Sequence, residues 1–206
     1  MAAGQNSGVG DLFAELPEID EDAQSRLHFR LVAAAADEGI LDVAYRSVDT
    51  PVGTLLVAAT PMGLVRVAYA CEDHDKVLGQ LAARISPRIL RASDRLDSAA
   101  RQIDEYFAGQ RSRFDLPLDF QLSSGFRRSV LAQLPGIAYG HTASYAAVAA
   151  AAGNPKAVRA AGTACATNPL PVVVPCHRVV RSDGTVGNYV GGADAKKILL
   201  SLESAA

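Results

Sequence analysis

A thiol and an imidazole stand side by side at Cys176-His177, inside the apolar run from Pro171 to Val180. The run suits a buried strand, but Pro175 has no N–H for a ladder, so the strand is expected to break there and expose Cys176 as a reactive thiol. Free cysteine, with a pKa of about 8.5, is only a few per cent thiolate at neutral pH, so a nucleophile here needs a base or a positive field. His177 and Arg178 offer both. Adjacent residues on an extended chain point to opposite sides, so His177 is expected to reach Cys176 through a bend or a bridging water. Such a base also needs a group on its other ring nitrogen, to hold the tautomer and stabilise the imidazolium. Glu203 is the candidate carboxylate, on a helix expected from Ala193 to Ser204 with an apolar stripe of Ala195, Ile198, Leu199 and Leu202. From position alone it reads equally well as a solvated charge at a helix end.

These residues need a scaffold. Residues 1–44 open with Gly, Ser and Asn, pass through an acidic cluster (Glu15, Glu18, Asp20, Glu21, Asp22) and read as a helix from about Glu21 to Glu38, an appended arm. Strand periodicity then marks Tyr45 to Val48, Leu55 to Ala59 and Leu64 to Tyr69, with turns at Thr50-Pro51-Val52-Gly53 and Pro61-Met62-Gly63, an antiparallel meander. Helices are predicted over Asp75 to Ile85 and Ser93 to Phe107, the second with Leu96, Ala100, Ile103 and Phe107 on one face. Gly109 to Gln121 reads as a linker strand, which places a domain boundary near residue 121, between a 45–120 domain and a 121–206 domain. Beyond it come a helix from Gly125 to Leu134, one from Tyr145 to Ala152 capped by Ser144, and one started by Asn154-Pro155 and running to Ala166. The last two form a helix-turn-helix pattern. Ala157, Ala160, Ala161, Gly162 and Ala164 would let its second helix press close to a groove, with Lys156 and Arg159 near its start. An ordinary packed helix hairpin has the same pattern.

At 206 residues, 49% hydrophobic and 20% charged, the chain can bury a core without disulfides or a structural metal. Three cysteines, an odd number, and the lack of a basic-then-apolar opening segment point to a reducing cytoplasm. No apolar run reaches the roughly 20 residues of a membrane span, so no membrane partner is expected. The formal net charge of −2 conceals an asymmetry: residues 1–120 carry 19 acidic and 12 basic side chains, whereas residues 121–181 carry six basic and no acidic ones. A polyanion could approach the second stretch without repulsion. Cys71-Glu72-Asp73-His74 has metal-capable side chains but no convergent partners, so neither metal nor cofactor is expected. Cys165 reads as a small packed residue.

The motif Pro175-Cys176-His177-Arg178-Val179-Val180, followed by Gly187-Asn188-Tyr189-Val190-Gly191-Gly192, resembles the O6-alkylguanine-DNA alkyltransferases. The likeness extends to Gly153-Asn154-Pro155-Lys156-Ala157-Val158-Arg159-Ala160, to Asn168-Pro169, to Ser144-Tyr145, and more loosely to Thr50-Pro51-Val52-Gly53 and Tyr106-Phe107-Ala108-Gly109, roughly residues 45–204. It implies an α+β protein: a small N-terminal α/β domain with an antiparallel, ribonuclease-like sheet, then a mostly helical, winged-helix-like C-terminal domain with a helix-turn-helix. The implied activity is direct-reversal DNA repair, in which the alkyl group of an O6-alkylguanine flipped out of double-stranded DNA moves irreversibly to Cys176. O4-alkylthymine is a further candidate substrate.

By the same resemblance His177 is a water-mediated base, Glu203 its orienting carboxylate, Asn168 a brace and Tyr145 the phenol that assists the leaving guanine. Arg159 fills the vacated stack. Lys156, Ala157, Ala160, Arg127, Arg128 and Arg178 are expected at the DNA, approached through the minor groove, and Val179, Tyr189, Val190, Gly191, Gly192 and Pro171 at the base pocket. Val190 departs from the polar or basic residue many relatives carry, while Pro171 and Gly191 imply room for alkyl groups larger than methyl. The expected state is a monomer without cofactor, with cooperative binding on DNA as an open alternative. Two rival classes remain on the sequence: a lesion sensor that binds without transfer, and a cysteine hydrolase that turns over. Sensors of this family commonly carry tryptophan at the cysteine position, and this chain has none.

Overall fold

The protein is described over residues 20–204 by a computed structural model. The chain divides between Gly39 and Ile40 into two units. In the first, helix α1 (Glu21–Asp37) starts at Asp20, whose carboxylate accepts the Asp22 N–H at 3.1 Å. Glu15 and Glu18 of the expected acidic cluster lie outside the described residues.

The second unit opens with the expected meander: β1 (Val43–Val48), β2 (Leu55–Thr60) and β3 (Gly63–Tyr69), paired antiparallel in sequence. A fourth strand, β4 (Ile89–Arg91), adds parallel to β1, so the sheet order is β3-β2-β1-β4. Leu55, Leu56, Val57 and Ala58 are all buried, which means that both faces of β2 are covered and period-two alternation gives way to a continuous apolar run. Val77 and Leu81 of helix α2 (His74–Arg84) join Val43, Leu56, Ala58, Val65 and Ala68 in one core cluster.

Helix α3 (Asp97–Phe107) is preceded by a 3-10 turn at Ser93–Leu96. Its buried side is Ala99, Ala100, Gln102, Ile103 and Tyr106, whereas Phe107, expected on that face, is half-buried. Gln102 clamps the Asp115 backbone from both sides, donating to its C=O (2.9 Å) and accepting from its N–H (2.8 Å). The 109–121 segment is no strand of its own. It touches the sheet at one bridge, where the Leu64 N–H reaches Pro117 O and the Asp119 N–H reaches Leu64 O, each at 2.8 Å. Gly63, at φ +139°, permits this approach, since a Cβ there would lie 2.3 Å from Pro117 O.

Four α-helices and two short paired strands follow among the described residues: α4 (Gly125–Gln133), a two-residue strand β5 (Ala143–Ser144), α5 (Tyr145–Ala151), α6 (Val158–Ala166), a short β6 (Val179–Val180) parallel to β5, and α7 (Gly192–Ser204). Ser144 caps α5 by accepting the Ala147 N–H at 3.1 Å, as expected. Helix α6 begins three residues later than expected. Asn154 closes a turn instead, its side chain accepting the Lys156 N–H and its carbonyl the Ala157 N–H, so Pro155 and Lys156 precede the helix. Among the described residues no helix is long and apolar enough to cross a membrane.

Candidate active site

Pro171 to Val180 is not a broken strand. Leu170 to Val174 makes a tight turn closed by the Val174 N–H on Leu170 O (2.8 Å), and Cys176–Arg178 forms a 3-10 turn before β6. Val172 takes φ +71°, a left-handed conformation that a β-branched residue rarely adopts, so backbone strain is stored four residues before the thiol. Pro175 was expected to break a strand and expose Cys176; instead it follows an apolar turn, and Cys176 is buried at 1% exposure because the 3-10 turn tucks its sulfur inward.

Asn168 holds that sulfur. Its amide donates to Cys176 Sγ at 3.1 Å and to Val174 O at 2.8 Å, while its Oδ1 accepts the Leu170 N–H at 3.0 Å. Burial pushes the Cys176 thiol up to about 11, against the opposing pull of the Asn168 bond and the Lys196 ammonium. At neutral pH the resting sulfur is therefore a thiol, and a nearby base must take its proton.

Glu203 is not a solvated terminal charge but lies buried at 2% exposure. Its Oε1 accepts from His177 Nε2 (2.8 Å), Tyr106 Oη (2.7 Å) and Arg178 Nη2 (2.9 Å), and its Oε2 accepts from Arg178 Nε (2.9 Å) and the Gly140 N–H (3.3 Å). Burial alone would raise the Glu203 carboxyl; the bonds from His177 and Arg178 outweigh it and hold the pKa at about 2. An ionised carboxylate only accepts, so His177 Nε2 must carry the hydrogen and Nδ1 the lone pair. That Nδ1 is buried and has no hydrogen-bond partner among the described residues. Burial lowers the pKa of His177, with Glu203 opposing, so the resting ring is neutral and able to accept a proton.

Arg178 is displaced from its expected place at the DNA. It is buried at 6% exposure, forks onto Glu203, donates to Ile137 O at 2.7 Å and lies 5.6 Å above the Tyr139 ring. A guanidinium with those bonds is the counter-charge of a buried carboxylate and has no face left for a phosphate. Sequence reasoning did not single out Lys196, which is wholly buried on α7, donates to Val179 O at 2.5 Å and acts electrostatically on Cys176 and Cys165. Its signal was there: Lys196 and Glu203 are seven residues apart, two turns of one helix face. Ile198, expected in the apolar stripe, points outward at 41% exposure.

Tyr145 is half-buried at the start of α5, and a Cβ at Gly187 would fall 2.2 Å from its hydroxyl oxygen. Tyr189 is buried, shares a 2.9 Å hydroxyl contact with Tyr69 and meets the His177 ring edge-on at 6.3 Å between centroids. Gly191 leaves room for the Tyr69 ring, which would be 2.6 Å from an added Cβ. Val179 and Pro171 are buried, Val190 is half-buried and Gly192 is exposed. Among these six pocket candidates only Val190 lines the cleft of about 270 Å³ that Arg66, Arg84, Arg127 and Asn168 also border. On α6, Ala161, Ala164 and Cys165 face inward, so the outward surface is Arg159, Ala160 and Thr163, joined by exposed Lys156 and half-buried Ala157. Arg127 and Arg128 are exposed on α4.

Cys71 to His74 folds as a helix start rather than a ligand set. Glu72 pairs with Arg66 and accepts the Tyr69 N–H, and Asp73 accepts the Lys76 N–H at the start of α2. No group of three His, Cys, Asp or Glu able to hold a metal occurs among the described residues.

A small mixed sheet followed by a helical part that carries a buried cysteine, histidine and carboxylate defines an α+β protein built for single-site thiol chemistry. Residues 43–120 match the ribonuclease-like domain of 6-O-methylguanine DNA methyltransferases, and residues 125–205 match the DNA-binding domain of the same proteins. The methylated-DNA–protein-cysteine methyltransferase of Mycolicibacterium paratuberculosis is 37% identical over 161 residues, 78% of this chain and 92% of the relative. The constitutive enzyme of that name from Bacillus subtilis is 37% identical over 160 residues, 77% and 94% of the two chains. In three dimensions the protein is similar to Mycobacterium tuberculosis O6-methylguanine methyltransferase (TM-score 0.70, 32% identity, 79% of this chain and 93% of the other). It is likewise similar to Mycobacterium tuberculosis OGT solved in complex with DNA (TM-score 0.69, 33% identity, the same coverage). The chain belongs to the methylated-DNA–protein-cysteine methyltransferase family.

Proposed function

We propose that the protein repairs DNA by direct reversal, moving the alkyl group of an O6-alkylguanine to Cys176 once per chain. The observation that carries this reading is the buried His177 Nδ1, a lone pair with no hydrogen-bond partner among the described residues, on the residue that follows a thiol that must lose its proton. In the proposed step the Cys176 proton passes, through a bridging water, to Nδ1 while sulfur attacks the alkyl carbon. The O6–carbon bond breaks and its electron pair stays on the guanine. Tyr145, kept protonated because burial raises its pKa, hydrogen-bonds to the developing purine anion. Glu203 balances the imidazolium. The product thioether has no route of release, so the reaction runs once.

The duplex-binding surface on this reading is Lys156, Ala157, Arg159 and Ala160 with Arg127 and Arg128, engaging the minor groove. Arg159 fills the stack left by the extruded base, which offsets part of a cost of a few kcal/mol. Val179, Tyr189, Val190, Gly191, Gly192 and Pro171 form the base pocket. We infer a monomer of the cytoplasm in which residues 45–120 support a catalytic and DNA-binding part at 121–206. Titrating the protein against duplex containing O6-methylguanine tests the whole. One methyl lost from DNA per chain supports the reading, continued turnover supports a hydrolase, and binding with intact lesion supports a sensor.

A further inference from the structure

Glu203 receives a hydrogen bond from outside the helical part. Tyr106, on α3 of the sheet part and 97 residues away in sequence, is wholly buried and donates its hydroxyl to Glu203 Oε1 at 2.7 Å. Burial and the neighbouring carboxylate raise the pKa of the phenol, and the carboxylate is ionised, so Tyr106 is the donor. Its ring is fixed on three sides by Phe107, Phe114 and Tyr139, with centroids 5.3, 5.3 and 6.2 Å away. The hydroxyl is therefore delivered by a rigid side chain, with little freedom to be lost on bonding. The same oxygen lies 3.5 Å from His177 Nε2, at the edge of bonding distance, so Oε1 is the shared acceptor of both groups.

We propose that Tyr106 is a positioning residue for alkyl transfer, its hydroxyl fixing Glu203 so that the carboxylate holds His177 with Nδ1 free. The proposal rests on the transfer reading above and deepens it: the sheet part supplies a member of the relay. Three residues donate to Oε1, Arg178 through both Nε and Nη2, so each one weakens the hold of the others. Removing the phenol hydroxyl leaves more carboxylate charge for the His177 N–H, which favours the imidazolium and disables the base at a higher pH. The other charged or titratable groups facing this pair are Arg178 from the 3-10 turn, Tyr139 from the loop before β5, Lys196 from α7, and Tyr189, which meets the His177 ring edge-on and is itself acted on by Cys176. None of them is altered by the change.

The test uses the full chain with Tyr106→Phe, and with 2,3-difluorotyrosine placed at position 106 by amber suppression. Single-turnover transfer from O6-methylguanine duplex is measured against pH, and the His177 imidazole is titrated by ¹⁵N NMR. The expected result is an acid limb moved upward by on the order of half a pH unit in Tyr106→Phe, with the ¹⁵N titration moving the same way. The more acidic difluorophenol is a stronger donor, so its limb moves downward. A uniform rate loss with an unmoved midpoint, or no change, overturns the proposal. Should Tyr106→Phe fail to fold, the difluorotyrosine chain, which keeps the shape, decides by the same shift or its absence. A parent chain that transfers nothing refutes the transfer reading, and the ¹⁵N titration then still decides whether Tyr106 acts on the Glu203–His177 pair.

Discussion

Replacing Glu203 with Gln changes one oxygen to an amide and removes the only buried negative charge in contact with Arg178 among the described residues. In the parent, the Arg178 fork places Nε and Nη2 at 2.9 Å from the two carboxylate oxygens, and Gly140, Tyr106 and His177 also donate to them. A glutamine offers one acceptor and one donor to five donors, so at least one pair must face donor to donor. Arg178 is left buried with an uncompensated charge, which costs about 3–5 kcal/mol. For a chain of this size that corresponds to a Tm lower by roughly 6–20 °C. His177 also loses the anion that fixes its tautomer and stabilises its protonated form, a loss worth on the order of 10⁴ in rate in comparable relays. Thermal denaturation and single-turnover transfer on methylated duplex measure both effects. A Tm within 2 °C of the parent together with a rate within tenfold refutes the relay. The pH dependence follows from the same geometry. Glu203 is held at about 2 from an ordinary 4.5, so its stabilisation is complete above pH 4.5 and is lost as the pH falls toward 2. Acid unfolding of the parent should carry this step, and that of Glu203→Gln should lack it.

Arg159→Ala should slow repair of duplex at least tenfold more than reaction with free O6-benzylguanine, because only the duplex leaves a gap to fill; equal losses contradict that role. Gly187→Ala puts a methyl on the Tyr145 hydroxyl, so transfer should fall by about tenfold to a hundredfold while Tm changes by less than about 4 °C. An unchanged rate would show that Tyr145 is not needed where it stands. In competition between methylated and benzylated guanine, both should label Cys176, and a complete failure of benzyl transfer would remove the argument from Pro171 and Gly191.

The meander was readable because Leu55 to Ala59 and Leu64 to Tyr69 are mostly apolar, strand-length stretches, the second interrupted only by Arg66, bounded by turns that contain Pro and Gly. Strand β4 was not: Ile89-Leu90-Arg91 is three residues, and its pairing with Val43 to Tyr45 is a long-range event with no local signal. The relay was half legible. Cysteine, histidine and glutamate have side chains whose chemistry invites pairing, and the structure brings His177 and Glu203 into contact across 26 residues. Tyr106 and Lys196 were hidden because a tyrosine or lysine on a helix ordinarily needs no partner, and theirs lie 97 and 17 residues away. Arg178 was misplaced for a related reason. A basic residue next to an active cysteine reads as surface charge until the buried carboxylate it neutralises is seen. The expected exposure of Cys176 failed because Pro175 was weighed only as a strand breaker, whereas the chain after it coils into a turn that carries the sulfur inward.

Alkyl transfer on this mechanism ends at Cys176 and nowhere else in the chain. Peptide mapping by mass spectrometry, after incubation with a duplex containing O6-methylguanine, tests it directly. The expected result is one added methylene, located on Cys176, with Cys71 and Cys165 unmodified and no addition in Cys176→Ser. A methyl found on Cys165 or Cys71, or a methylated Cys176→Ser chain, would contradict it.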